Sequence, residues 1–131
     1  KRLEYKNISA STLDEIYDIA ICNFSLLGKE SVEHIFNTMP SLLNEGGCLV
    51  IQTPHPLTSC GDLPYTDGWR EGSWAGFSSE FSEPAPWYFR TVESWLTLFR
   101  TNGFILNEVK EPINPKTGKA TSLIMVGSVA L

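Results

Sequence analysis

YDIAICNFSLLGKESVEHIFNTMPSLLNEGGCLVIQTPHP, residues Tyr17 to Pro56, decides the fold. Asp18 to Cys22 is a short, almost wholly apolar run. Val32, Ile35, Phe36 and Met39 then recur at helical spacing, and Glu30 and Glu33 in the first turn suit the positive end of a helix dipole. Pro40 predicts a kink or restart, with Ser41-Leu42-Leu43 as a last short turn, and Gly46-Gly47 predicts the helix stop. Cys48 to Ile51 is a second short apolar run. Strand, helix, strand in about forty residues is the size of a βαβ unit. Unbroken apolar strands predict burial on both faces, as in a parallel sheet covered by helices.

Downstream, Thr91 is a good N-cap for a helix whose apolar face is Val92, Trp95, Leu96 and Phe99, and Gly103 stands at its C′ position. Phe104 to Glu111 and Ala120 to Val129 read as two strands. The Pro-, Asn- and Gly-rich turn Pro112–Lys119 joins them into an antiparallel hairpin. Between the two halves, residues 57–88 show no clean periodicity but hold Tyr65, Trp69, Trp74, Phe77, Phe81, Trp87 and Tyr88. So long an irregular stretch inside a compact domain points to function, and its rings suit a lid or pocket wall over the strand ends. Some of those rings must also anchor the loop. Upstream, residues 7–15 are polar and turn-rich, with Ser9, Ser11 and Thr12 able to cap a short helix.

The chain has 131 residues, 42% hydrophobic, a net charge of −5 and no basic cluster. One domain over residues 1–131 is expected, with no nucleic-acid partner. No apolar run reaches the roughly twenty residues of a membrane span, so no membrane partner is expected either. Three cysteines, with Cys22 and Cys48 on the two apolar runs, suggest core thiols in a reducing, cytoplasmic setting. Neither the two histidines nor the scattered cysteines have metal-ligand spacing.

Asp18 opening a strand, Asn23-Phe24-Ser25-Leu26-Leu27 leaving it, and Ser41-Leu42-Leu43-Asn44-Glu45-Gly46-Gly47 before the next strand form an ordered set. Trp87-Tyr88-Phe89-Arg90-Thr91-Val92-Glu93-Ser94-Trp95, Asn102-Gly103-Phe104 and Glu111-Pro112 extend it. The set resembles the second half of a class I S-adenosylmethionine-dependent methyltransferase of the small-molecule type, over nearly the whole chain. The resemblance implies an α/β fold, the C-terminal part of a Rossmann-like sheet layered with helices, mostly parallel with the last strand antiparallel. No G-x-G-x-G stands in the chain. The chain therefore looks like a C-terminal portion, a partial domain beginning near the end of the family's third strand, and is expected not to bind the cofactor alone.

The resemblance further implies S-adenosylmethionine as cofactor in the full-length protein, touched by Glu4, Tyr5, Asn23, Phe24 and Leu26, with Leu27 beside them. It implies a small organic acceptor, for which His55, Trp69, Arg70, Trp74, Trp87 and Tyr88 are the binding candidates. Asp18 is expected to hold a loop amide. His34 is expected on the surface. Methyl transfer is a direct displacement for which the protein chiefly aligns nucleophile and methyl group, and a base serves only a weak nucleophile. His55 is the candidate base. The competing reading is that His55, between two prolines, only shapes its turn.

The rival function is a non-catalytic binding or interaction module derived from a methyltransferase half-domain; a nicotinamide-dependent oxidoreductase fits the last strand less well. The strand Asp18–Cys22 would lack its family neighbour, and an open apolar edge of that kind predicts a homodimer of this chain.

Overall fold

The computed structural model describes residues 15–72 and 85–130. In chain order the elements are β1 (Tyr17–Asn23), α1 (Glu30–Leu42), β2 (Leu43–Pro54), α2 (Pro56–Ser59), β3 (Gly68–Arg70), β4 (Trp87–Phe89), α3 (Val92–Thr101), β5 (Phe104–Lys110) and β6 (Ser122–Val129). The main sheet has the order β1-β2-β6-β5. β1 and β2 are parallel, and β6 is antiparallel to both β2 and β5. One strand thus runs against the other three, inserted between β2 and β5, as the hairpin reading requires.

α1 and α3 cover one face of this sheet. Val32, Ile35, Phe36 and Met39 from α1 meet Trp95 and Phe99 from α3 over Leu49, Ile51, Leu123 and Met125. Phe36, Phe99 and Phe104 stack edge to face at 5.0, 5.8 and 6.4 Å between centroids. Gly127 of β6 makes the room: a Cβ there would stand 2.5 Å from Phe99 Cδ1. α3 keeps its expected caps, with Thr91 Oγ1 accepting from the Ser94 amide and Gly103 following at φ +84°.

Three local expectations are corrected. α1 runs as one element through Pro40, because a proline in the last turn removes only a terminal hydrogen bond. It ends at Leu42, ahead of Gly46-Gly47. Leu43 already pairs with Tyr17, and residues 44–47 bulge before the regular ladder starts at Cys48. Gly46 turns this bulge at φ +76°, and a Cβ on Gly47 would meet the Asn44 carbonyl oxygen at 2.8 Å. The glycine pair therefore shapes a bulge rather than stopping a helix. Asp18 accepts from the Asn44 side-chain amide at 2.7 Å and holds that bulge.

The third correction concerns burial. α1 and α3 lie on one face, and on the outer face of β1 Ile19 is 59% and Ile21 71% exposed. The apolar pattern specified strand but not two-sided cover.

Candidate functional site

Parallel pairing brings the carboxyl ends of β1 and β2 to one edge of the sheet, with Asn23 opposite Gln52. In open α/β sheets ligands bind outside such strand ends. Phe24 follows β1 at this edge. It adopts φ +51°, the one non-glycine residue in the left-handed region among the described residues. Its amide continues the ladder by donating to the Gln52 carbonyl at 2.8 Å. A bulky residue there is a genuine outlier, costing on the order of 1–2 kcal/mol. Its ring remains 47% exposed. Asn23 is exposed beside it, while Leu26 turns back into the core.

Between these strand ends and the following segment lies a cavity of ≈ 660 Å³. Small-molecule sites run to roughly 300–1,000 Å³. Its walls are the β1–α1 loop (Ser25 to Gly28), the first turns of α1, Thr53-Pro54 with Pro56 and Ser59 of α2, and the β3–β4 hairpin with Trp69, Trp87 and Tyr88. Trp69 and Tyr88 meet edge to face at 5.4 Å, and Trp69 is 57% exposed.

The hairpin itself is firmly tied down. β3 and β4 pair antiparallel through Gly68–Phe89 and Arg70–Trp87. The Tyr88 amide donates to the Leu27 carbonyl at 2.7 Å. At the start of α3, Asp67 accepts from the Thr91 amide at 2.9 Å and the Tyr65 hydroxyl from the Val92 amide at 3.0 Å. These satisfy donors a helix start leaves open.

Arg90, unsuspected from sequence, fixes the opposite wall. It is buried, and donates from its two terminal nitrogens to the Gly28 carbonyl at 2.9 Å and the Lys29 carbonyl at 3.0 Å. Its guanidinium lies over Tyr88 and Trp95, 4.8 and 5.2 Å from their centroids. Burial lowers its pKa from the ordinary arginine value, against raising contributions from Glu33, Tyr88 and Asp67. A cation following three aromatic residues and preceding a capping threonine was the available signal.

The structure separates the other candidates. Leu26, Trp69, Trp87 and Tyr88 line the cavity. Arg70 instead donates to the Pro64 and Thr66 carbonyls at 2.9 and 3.1 Å and lies over Phe89. His55 is 1% exposed; its Nδ1 accepts from the Leu57 amide at 3.1 Å and its Nε2 is 2.6 Å from Glu111 Oε2. Glu4, Tyr5 and Trp74 lie outside the described residues, as do Phe77 and Phe81. His34 is exposed. Among the described residues no group of three His, Cys, Asp or Glu is arranged to hold a metal, and no helix is long and apolar enough to cross a membrane.

The sequence matches no family model and no curated protein. Solved structures do match. A candidate S-adenosylmethionine-dependent methyltransferase from Listeria monocytogenes aligns with a TM-score of 0.78 at 16% identity, over 100% of this chain and 68% of that one. An S-adenosylmethionine-dependent methyltransferase from Mesorhizobium loti aligns with a TM-score of 0.70 at 19% identity, over 98% of this chain and 68% of that one. The 1,6-didemethyltoxoflavin-N1-methyltransferase of Burkholderia thailandensis, solved with 1,6-didemethyltoxoflavin and S-adenosylhomocysteine, aligns with a TM-score of 0.63 at 16% identity, over 93% of this chain and 48% of that one. Strand order, the single reversed strand and these alignments agree: the chain has the fold of the class I S-adenosylmethionine-dependent methyltransferases.

Proposed function

We propose that the protein transfers a methyl group from S-adenosylmethionine to a small organic acceptor held in the cavity beside the strand ends. The single observation that carries this reading is the juxtaposition at the carboxyl edge of β1. A strained, half-exposed Phe24 adjoins an aromatic-walled cavity of ≈ 660 Å³. Strain of this kind concentrates at functional sites.

The residues present fit one end of the cofactor. Asn23 offers an exposed amide and Phe24 an exposed ring at the strand end where the fold binds its ligands. Glu4 and Tyr5 are proposed at the adenine end. The cofactor supplies a methyl group already activated as a sulfonium. The chain's task is then to place an acceptor against it and exclude water. Trp69, Trp87 and Tyr88, with Trp74 from the same segment, are the proposed acceptor wall, and residues 57–88 are its cover. A flat organic acceptor suits such rings. The Burkholderia protein, with 1,6-didemethyltoxoflavin bound, supports an acceptor of that size. Arg70, turned into its own loop, is proposed to stiffen that wall rather than touch the acceptor.

The test is a Trp87→Ala substitution in the full-length protein. The acceptor KM should rise about tenfold or more, the equivalent of ~1.4 kcal/mol, with cofactor affinity nearly unchanged. Equal loss of both would place the cavity elsewhere than proposed.

A further inference from the structure

We infer that His55 is a positioning residue for the acceptor cavity: tied to Glu111 at the end of β5, it holds α2 in place as one of the cavity walls. The inference rests on the acceptor reading of the cavity.

The imidazole is used at both nitrogens. Nδ1 accepts from the Leu57 amide and so caps α2, which leaves the ring proton on Nε2, aimed at the Glu111 carboxylate 2.6 Å away. A ring so placed has no nitrogen left to take a proton from an acceptor. Its backbone works in the same direction. The His55 amide donates to the Thr121 carbonyl at 3.1 Å, and its carbonyl accepts from the Thr58 and Ser59 amides at 3.1 and 2.9 Å. Thr58 Oγ1 adds a bond to the Ala120 carbonyl. The β5–β6 turn, closed by the Ile113–Ala120 bridge, is thereby strapped to α2. α2 in turn presents Pro56 and Ser59 to the cavity, while His55 itself does not line it. His55 acts on the site through these two residues.

Amide hydrogen exchange on the full-length protein separates the bonds. Glu111→Ala removes the acceptor. His55→Asn keeps a capping oxygen but is too short to reach Glu111. Both should speed exchange at Thr58, Ser59 and Cys60 by about tenfold, as loss of a hydrogen bond to a charged group implies. Glu111→Gln, which still accepts from Nε2, should stay within about threefold of the parent. The Ile51 and Met125 amides of the central ladder should not change. Unchanged α2 exchange in Glu111→Ala, or faster exchange throughout the sheet, would overturn the inference.

Binding carries the consequence to the cavity. Anilinonaphthalene sulfonate, used as a flat aromatic probe, should bind about tenfold more weakly to Glu111→Ala and recover in Glu111→Gln. S-adenosylhomocysteine affinity, by calorimetry, should hold in both. A parallel loss of both ligands would overturn the positioning role. A parent protein that binds no probe would sink the acceptor reading, while the exchange result still decides the strap.

Discussion

Replacing Phe24 with glycine separates a functional ring from a core ring. Three effects set the stability change. Glycine relieves the left-handed backbone, worth about 1–2 kcal/mol. It returns freedom to the unfolded chain, costing about 0.5–1 kcal/mol. The lost ring is 47% exposed, so only about half of the ~1.5–3 kcal/mol for full burial disappears. The sum runs from about 0.8 kcal/mol stabilising to about 1.5 kcal/mol destabilising. For 131 residues, an unfolding entropy of about 2.1 cal/mol/K per residue makes that a Tm change of no more than about 6 °C. Phe36→Ala, at a fully buried position, should instead lose about 3–5 kcal/mol, or more than about 10 °C. Thermal and urea unfolding of the two variants beside the parent provide the comparison, and calorimetry with S-adenosylhomocysteine provides the function. Phe24→Gly should keep the fold and weaken cofactor binding. A loss of about 3 kcal/mol or more in Phe24→Gly would make Phe24 a core residue, and unchanged cofactor binding would remove it from the site.

Other predictions address the frame around the site. Gly127→Ala should cost about 1–3 kcal/mol by overpacking against Phe99, and Phe99→Leu in the same chain should recover part of it; unfolding midpoints in urea read both. Arg90→Lys loses the fork that spans the Gly28 and Lys29 carbonyls and should weaken binding of a flat aromatic probe more than it lowers Tm. We also propose that the 131-residue chain dimerises through β1, whose second edge has no partner strand among the described residues and whose Ile19 and Ile21 are exposed; light scattering coupled to size exclusion should give twice the monomer mass, and a monodisperse monomer at high concentration would refute it.

The parts legible in the sequence are those with local periodicity. The run Asp18–Cys22, the Val32/Ile35/Phe36/Met39 face and the Thr91–Gly103 helix each carry their signal within a few residues, and the structure keeps them. β3 and β4 are three residues each, and Gly68 finds its partner at Phe89, so no local period exists to read. The His55–Glu111 bond spans 56 positions and is equally silent. The left-handed backbone at Phe24 was unreadable for a different reason: only glycine or asparagine advertises that conformation. The aromatic density of residues 57–88 pointed to a cavity wall, and Trp69, Trp87 and Tyr88 do line the cavity. Which rings would serve as anchors depended on hydrogen bonds to α3 and to the β1–α1 loop that composition does not encode.

Methyl transfer itself is read as transfer of label from tritiated S-adenosylmethionine by the full-length protein across a panel of small aromatic and polyketide-like acceptors. Label should appear on a small organic acceptor, greatly reduced by Trp87→Ala and restored at high acceptor concentration. Acceptor binding with no cofactor binding and no transfer to any member of the panel would contradict methyl transfer and leave a binding module built on a methyltransferase fold.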